Sequence, residues 1–335
     1  MKKYKVGIIG IGTVGTELVK VIRERNFPTS ELRILARSER DEEIAGETFH
    51  VRDASAKDAF KGLDFALFAG TEGAKGASKL YGWHAVECGA VVIDNGDDFR
   101  MDPRVPLVIP EINADALAGH NGLIANPNCS TIIALMAVAP LHRAVRIRRL
   151  VISTYQSVSG TGRDAVLELE RQAREYVEGK PFTVKTYGHR IAFNVLPQVG
   201  SFKEELLGST TEELKMLNET RKILGDGKIR VASTCVRVPV FYGHSEVINI
   251  EFEKPMSPDR AREILSKAPG VRVVDEPSKG LYPLPIDSAG KDDVLAGRIR
   301  NDDSIENGLA LFVAGDNIRK GAALNAVQIA EKLIY

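Results

Sequence analysis

The chain begins with a short apolar run, Tyr4–Ile9, after which Val14, Leu18, Val21 and Ile22 recur at helical spacing. Leu32–Ala36, Phe65–Phe68, Val91–Ile93 and Leu123–Ala125 are further short apolar runs that predict strands, and Ala74–Cys88 predicts a helix. Strands alternating with helices predict an α/β domain with a parallel, doubly wound sheet.

From about residue 146 the texture changes. Arg148–Gln156 reads as a strand, Gly162–Val177 as a charged amphipathic helix and Thr211–Leu224 as another helix. Arg230–Val240 and Glu246–Glu253 read as strands separated by Pro239 and Gly243, and Pro258–Lys267 as a short helix. Two long strands in near succession predict an α+β domain with an antiparallel or mixed sheet. The last helix, Gly321–Leu333, is apolar on one face and is expected to pack back on the first domain. The expected division is 1–130 with the C-terminal helix 318–335, and 131–317. No internal repeat or low-complexity tract interrupts it.

Composition adds limits. At about 150 residues per domain, 335 residues fit two domains. Lys plus Arg equals Asp plus Glu, 45 against 45, so no global charge draws the chain to nucleic acid or an anionic membrane. No apolar run approaches the roughly 18 to 20 residues that span a bilayer. The start, Met1-Lys2-Lys3-Tyr4, is basic, but Gly7, Gly10, Gly12 and Gly15 break the stretch that follows, and no targeting segment is expected. Cys88, Cys129 and Cys235 are odd in number and widely spaced. That pattern fits a reduced, cytoplasmic setting and predicts neither a disulfide framework nor a metal site.

Gly10-Ile11-Gly12-Thr13-Val14-Gly15 is a GxGxxG placed directly after a strand and opening a helix. One glycine makes the tight turn, the next lets backbone approach a pyrophosphate, and the third permits close helix packing beside free N–H groups. The first domain is thus expected to be a Rossmann dinucleotide-binding domain. Its second strand ends in Ala36-Arg37-Ser38-Glu39-Arg40. Arg37, Ser38 and Arg40 suit a ribose 2′-phosphate, which favours NADP, while Glu39 leaves NAD open.

Asn126-Pro127-Asn128-Cys129-Ser130-Thr131 lies between an apolar strand and a helical run, with Asn128 or Ser130 as the expected cap. Cys129 therefore stands at a helix N-terminus, where the macrodipole and free N–H groups favour thiolate. Those N–H groups also suit a developing oxyanion. Cys88 and Cys235 fit the role of small core residues. A nucleophilic cysteine in a nicotinamide enzyme implies a thioester route from aldehyde to acid derivative.

With these residues in view, the chain resembles the aspartate-β-semialdehyde dehydrogenase family. The likeness runs through Val105-Pro106-Leu107-Val108-Ile109-Pro110-Glu111, the Cys129 segment, Thr154-Tyr155-Gln156-Ser157-Val158-Ser159-Gly160, Arg237-Val238-Pro239-Val240, Gly243-His244-Ser245-Glu246 and Lys320-Gly321-Ala322-Ala323-Leu324-Asn325. The resemblance implies reversible NADPH-dependent reduction of L-aspartyl-4-phosphate to L-aspartate-4-semialdehyde with release of phosphate, on the branch to lysine, methionine, threonine and isoleucine. It implies Cys129 as nucleophile, His244 as acid/base and Gln156 orienting the thioacyl group. Arg237 would clamp the substrate α-carboxylate, Glu212 meet its amine, and Lys215 and Arg100 hold phosphate. Ser159, Gly160 and Asn325 would join the cofactor contacts. Homodimers or homotetramers built through the second domain are also implied.

Each residue has a plainer alternative. His244 after Gly243 also fits a turn histidine, Arg237 a strand-surface arginine, and Gln156 carries almost no signal alone. Glu212 and Lys215 lie three apart and fit a surface ion pair, and Ser209-Thr210-Thr211-Glu212-Glu213 fits a capping box that employs either glutamate. Where the family shows Ser-Ser-Ala-Phe-Arg, this chain has Gly96-Asp97-Asp98-Phe99-Arg100, with two carboxylates beside an expected anion site. The loop Ala69-Gly70-Thr71-Glu72-Gly73 and the first glycine loop also depart from the family pattern. A related acyl-phosphate or acyl-CoA reductase, such as N-acetyl-γ-glutamyl-phosphate reductase, keeps the same chemistry with another acyl group. A catalytically silent nucleotide-binding paralogue would be expected to lose the cysteine or histidine, and both are present.

Overall fold

The computed structural model describes residues 2–70 and 76–334, which divide into two compact units. The first comprises Met1–Asn128 with Ala322–Tyr335, the second Cys129–Gly321. Residues 71–75 lie outside the described residues, and with them the expected helix start at Ala74 and the Thr71-Glu72-Gly73 part of the loop after Phe68.

In chain order the first unit contains β1 (Tyr4–Ile9), α1 (Thr13–Glu24), β2 (Thr29–Ala36), β3 (Arg40–Ile44), β4 (Glu47–Asp53), β5 (Phe65–Phe68), α2 (Ala77–Glu87), β6 (Val91–Asp94), α3 (Pro110–Asn113) and β7 (Leu123–Ala125). Their sheet runs β3-β4-β2-β1-β5-β6-β7. All neighbours are parallel except β3 and β4, which form an antiparallel hairpin. The strand order reverses at β1, the switch point where doubly wound sheets hold their ligands. Val6, Ile8, Leu18, Val21 and Ile22 are all buried, as their spacing predicts.

The β3–β4 hairpin has no counterpart in the apolar pattern. Arg40-Asp41-Glu42-Glu43-Ile44 is almost wholly charged, which suits an exposed sheet edge and erases the alternation that reveals a strand. Its tight turn is marked by positive φ at Ala45 (55°) and Gly46 (83°).

The second unit opens with α4 (Cys129–Ala144), followed by β8 (Ile147–Gln156), α5 (Arg163–Val177), α6 (Thr211–Leu224), β9 (Arg230–Arg237), β10 (His244–Phe252), α7 (Pro258–Ser266), β11 (Val271–Val273), α8 (Pro285–Ser288), β12 (Val294–Asn301) and β13 (Gly308–Gly315). Its sheet is mixed, in the order β11-β12-β13-β10-β8-β9. β9 and β10, near neighbours in sequence, do not pair: β8 lies between them, parallel to β9 and antiparallel to β10. β9 ends at Arg237, three residues short of the expected Val240, because Pro239 cannot donate to a ladder. β10 starts at His244 rather than Glu246, so that histidine is a strand residue and not part of a turn.

α4 is buried from Ser130 through Ala139 and again at Leu141, and packs against β8, β10, β12 and β13. A helix apolar all round belongs in a core, and each fully enclosed Leu or Ile there contributes roughly 1.5–3 kcal/mol. Arg319–Ala323 form a π turn, and α9 (Leu324–Ile334) follows as part of the first unit, where Arg25 pairs with Glu331 at 2.7 Å.

Candidate active site

Cys129 is the first residue of α4, so the residue before it, Asn128, takes the cap position and Ser130 falls inside the first turn. Three contacts fix where that turn sits. Thr131 Oγ1 donates to Met216 Sδ on α6 at 3.6 Å. Ile133 packs on Gly315 of β13, where an added Cβ would lie 2.9 Å from Ile133 Cγ1, and Gly315 is registered with His244. Gly321 lies against the cysteine itself: a Cβ there would stand 2.9 Å from Cys129 Cβ.

His244 is fully buried. Its Nδ1 accepts the Ser157 backbone N–H at 3.1 Å and lies 3.0 Å from Ser157 Oγ. A ring nitrogen that accepts a backbone N–H holds no proton, so the neutral imidazole carries its proton on Nε2. That nitrogen has no partner among the described residues. Burial, and then the positive charge of Arg237, hold the His244 pKa well below its ordinary value. Behind the ring, Asn317 Oδ1 accepts from the Ser157 and Ser159 hydroxyls, both at 3.2 Å, and from the Gly243 N–H at 3.1 Å.

Arg237 ends β9 beside this ring. It is buried, its Nη1 donates to Ser157 O at 2.7 Å, and its Nε has no partner among the described residues. Gly160 packs on both groups: an added Cβ would lie 2.9 Å from Arg237 Nη1 and 3.2 Å from His244 Nε2. Gln156, registered with Arg237 across β8 and β9, donates through Nε2 to Thr154 Oγ1 and to Glu212 Oε1, each at 3.3 Å.

The two α6 glutamates divide their tasks. Glu213 closes the capping box with Thr210 and accepts the Cys235 backbone N–H. Glu212 stays clear of the cap, is 6% exposed, and faces Lys215 at 3.8 Å. The expected ion pair between these two forms, but largely buried rather than on the surface. Cys235 is buried and its thiol pKa is pushed far up, mainly by burial and then by Glu212, which leaves it inert.

In the first unit the glycine loop fits a dinucleotide. Gly10 has φ +94°, a Cβ on Gly15 would lie 2.0 Å from Gly10 O, and nothing lies within 4 Å of a Cβ built on Gly12. Turn, close packing and open space fall where a pyrophosphate requires them, with Thr13 and Val14 opening α1.

The family model described as semialdehyde dehydrogenase, NAD binding domain, matches residues 5–120, and that described as semialdehyde dehydrogenase, dimerisation domain, matches residues 138–320. The aspartate-semialdehyde dehydrogenase of Aquifex aeolicus is 48% identical over 99% of this chain and 98% of its own length. This chain belongs to the aspartate-semialdehyde dehydrogenase family. The Synechocystis enzyme of that name is 45% identical over 98% of this chain and 97% of its own. Aspartate semialdehyde dehydrogenase II from Vibrio cholerae superposes with a TM-score of 0.93 at 42% identity, covering 99% of each chain. A second structure of that Vibrio enzyme, also at TM-score 0.93 and 42% identity, covers 100% of this chain and 99% of its own and is described as complexed with ASA. Family membership makes the chain an oxidoreductase acting on an aldehyde, with a domain for a nicotinamide dinucleotide.

Several residues expected at the cofactor also hold groups of the protein itself. Ser159 and Gly160, expected at the cofactor, belong to the His244 cluster, where the Ser159 hydroxyl is engaged by Asn317 and Ser157. Asn325, also expected at the cofactor, is fully buried, and its amide donates to Val108 O at 3.0 Å and Asn126 Oδ1 at 2.7 Å. Through both donors it fixes the turn leading to Cys129. Arg40 is turned toward Glu42 and Ser38, and Glu39 is bound to His50 Nε2 at 2.7 Å. Arg37 is exposed and has no ion pair among the described residues.

Arg100 lies in the first unit, buried, donating to Asn126 O at 3.0 Å and Asn95 O at 2.7 Å. Asp94 beside it is pushed up to about 6, mainly by burial, with Asp98 adding to the rise and Arg100 opposing it. Ser157 and Asn317 were not singled out as functional in the sequence. Ser157 lies inside a family segment, but Asn317 has no spacing that marks it. Among the described residues no cluster of His, Cys, Asp and Glu suits a metal, and no helix is long and apolar enough to cross a membrane.

Proposed function

We propose that this protein is an aspartate-semialdehyde dehydrogenase that interconverts L-aspartyl-4-phosphate plus NADPH and L-aspartate-4-semialdehyde plus NADP⁺ and phosphate. The observation that carries the reading is the buried cluster of the second unit. It combines a carboxylate, Glu212, for an ammonium, a guanidinium, Arg237, for a carboxylate, and the imidazole of His244. An acetylated substrate has no ammonium to meet Glu212, which favours the free amino acid over the N-acetyl-γ-glutamyl alternative.

Cys129, favoured as thiolate at the start of α4, attacks the acyl carbon; the new S–C bond forms as the C–O bond to phosphate breaks. Gln156 orients the resulting thioacyl group. A nicotinamide dinucleotide held at the glycine loop of Gly10, Gly12 and Gly15 would supply the hydride in this direction and accept it in the reverse. His244 Nε2–H donates to the acyl oxygen as negative charge gathers there, and releases it when the S–C bond breaks and the aldehyde departs. Arg100 and Lys215 hold the phosphate. Arg37 and Ser38 receive the ribose 2′-phosphate, a reading supported by the unpaired Arg37 and by the engagement of Glu39 with His50.

The protein works as a homodimer in the cytoplasm. Arg149, Val151, Ser153 and Tyr155 of β8 and Val247 and Asn249 of β10 leave one sheet face partly exposed, which supports docking of a second copy. Three free cysteines support a reducing compartment. The test is NADP⁺ reduction with aspartate semialdehyde, with and without phosphate. Turnover should require phosphate and vanish in Cys129→Ala; turnover retained in that variant would overturn the reading.

A further inference from the structure

Glu246 is a buried carboxyl that the chemistry above does not use. It sits on β10 two residues past His244, so both side chains leave the same face of the sheet. It is fully enclosed, and among the described residues neither Oε1 nor Oε2 has a hydrogen-bond partner. Register places it opposite Thr154 of β8, which is itself opposite Cys235 of β9. Thr154 Oγ1 belongs to a short chain: it accepts from Gln156 Nε2, which also donates to Glu212 Oε1, and it meets the Cys235 thiol. Glu246 therefore lies directly across from the hydroxyl on which the Gln156–Glu212 pair rests, within the cross-strand contact distance of about 4.5–5.5 Å between Cβ atoms.

Among the described residues, the charge that acts on it is the negative one of Glu212. β13 presents Val313, β9 presents the Cys235 thiol, and α6 presents the Glu212 carboxylate, whose charge opposes ionisation of Glu246. His244 on its own strand is held neutral, and the charge of Arg237 acts on that ring. A carboxyl enclosed without donor or cation keeps its proton, and burial followed by Glu212 holds the Glu246 pKa well above the ordinary carboxylate range.

We propose that Glu246 is a positioning residue of this site, a neutral carboxylic acid that supports the Thr154–Gln156–Glu212 chain and leaves Glu212 as the negative charge the substrate ammonium meets. Ionisation of Glu246 places a second negative charge against Glu212 and Cys235, and the site loses its geometry on the alkaline side. The proposal rests on the assignment of Glu212 to the substrate amine, so its test includes a measurement independent of turnover.

Infrared spectroscopy of the full-length protein near neutral pH should show the carbonyl stretch of a protonated carboxylic acid that is absent from Glu246→Gln. Kinetics with aspartate semialdehyde, NADP⁺ and phosphate should show Glu246→Ala raising KM for the semialdehyde about tenfold with a smaller change in kcat. Glu246→Gln, the neutral isostere, should restore KM and remove the alkaline limb that Glu246 contributes to kcat/KM. Absence of the band from the wild type overturns the proposal, as does a folded Glu246→Gln variant that binds substrate no better than Glu246→Ala. If neither variant folds, a wild-type band that persists in Asp94→Asn and is lost only as pH rises above neutrality decides the matter. A protein that turns over no semialdehyde but shows the band overturns the reaction assignment and leaves the neutral acid standing.

Discussion

The Ser157 backbone N–H donates to His244 Nδ1 at 3.1 Å, and this single bond decides which ring nitrogen faces the chemistry. It fixes the proton on Nε2 and makes the resting imidazole a donor. Asn317 holds the arrangement by accepting from the Ser157 hydroxyl and from the Gly243 N–H. Because the His244 pKa lies well below its ordinary value, the acid limb of kcat/KM is expected well below neutrality, with a flat profile through neutral pH. Asn317→Asp places a carboxylate behind the ring, favours imidazolium, and should move that limb toward neutral pH by about one pH unit or more. A pH–rate profile of the two proteins, with Tm as a check on folding, measures the shift.

Gly321 meets Cys129 more closely than any side chain allows. A Cβ there would stand 2.9 Å from Cys129 Cβ and 3.3 Å from its Cα, and the latter is backbone at the start of a buried helix. Gly321→Ala must therefore push the first turn of α4. The expected result is a fall in kcat of about 10²-fold, since a misplacement of roughly 1 Å costs that much. The rate of Cys129 alkylation by iodoacetamide should change in parallel, while NADP⁺ affinity measured by fluorescence stays within about twofold.

Much of this site was legible because its polar residues interrupt apolar patterns at element ends. Cys129 follows the apolar β7 run and precedes an apolar helix, so its place at a helix start needed no coordinates. The glycine loop was legible for the same reason, and both sheets came out with the expected classes. The β3–β4 hairpin was not, because its charged edge carries no alternation. β11 to β13 were missed too: β12 reads Val294-Leu295-Ala296-Gly297-Arg298-Ile299-Arg300-Asn301, where a bulge between Gly297 and Arg300 breaks the period of two. Ser157 and Asn317 act through a buried network whose members are up to 160 residues apart, and one sequence holds no local trace of such a pairing.

Arg37 gives the cofactor reading its sharpest test. Arg40 is held by Glu42 at 2.8 Å and by the Ser38 carbonyl at 3.0 Å, so Arg37 is the cation after β2 without an ion pair among the described residues. Arg37→Ala should raise KM for NADP⁺ about tenfold or more and leave KM for NAD⁺ within about twofold, because only the former carries a 2′-phosphate to lose a charge-assisted bond. Equal effects on both cofactors would place the 2′-phosphate elsewhere.

Asp94 should make phosphate use depend on pH in a definite direction. Its carboxyl is fully buried, accepts the Gly96 N–H at 2.8 Å, and is pushed up to about 6. Below that pH it is neutral; above it one more negative charge appears beside Arg100. The apparent KM for phosphate should therefore rise, by about two- to fivefold, as pH climbs through 6. Phosphate titrates near neutrality itself, so the decisive quantity is the ratio of wild type to Asp94→Asn, in which that common effect cancels. The same pKa governs folding. The raised value means that the folded state holds a proton the unfolded chain has released, so this contribution to stability is complete below the ordinary carboxylate pKa and lost as pH rises through about 6. Asp94→Asn removes both effects at once: its phosphate KM should be flatter across this window, and its Tm should fall less than that of the wild type between acid and neutral pH. A variant whose phosphate KM and Tm follow the wild-type curves would show that Asp94 does not titrate there.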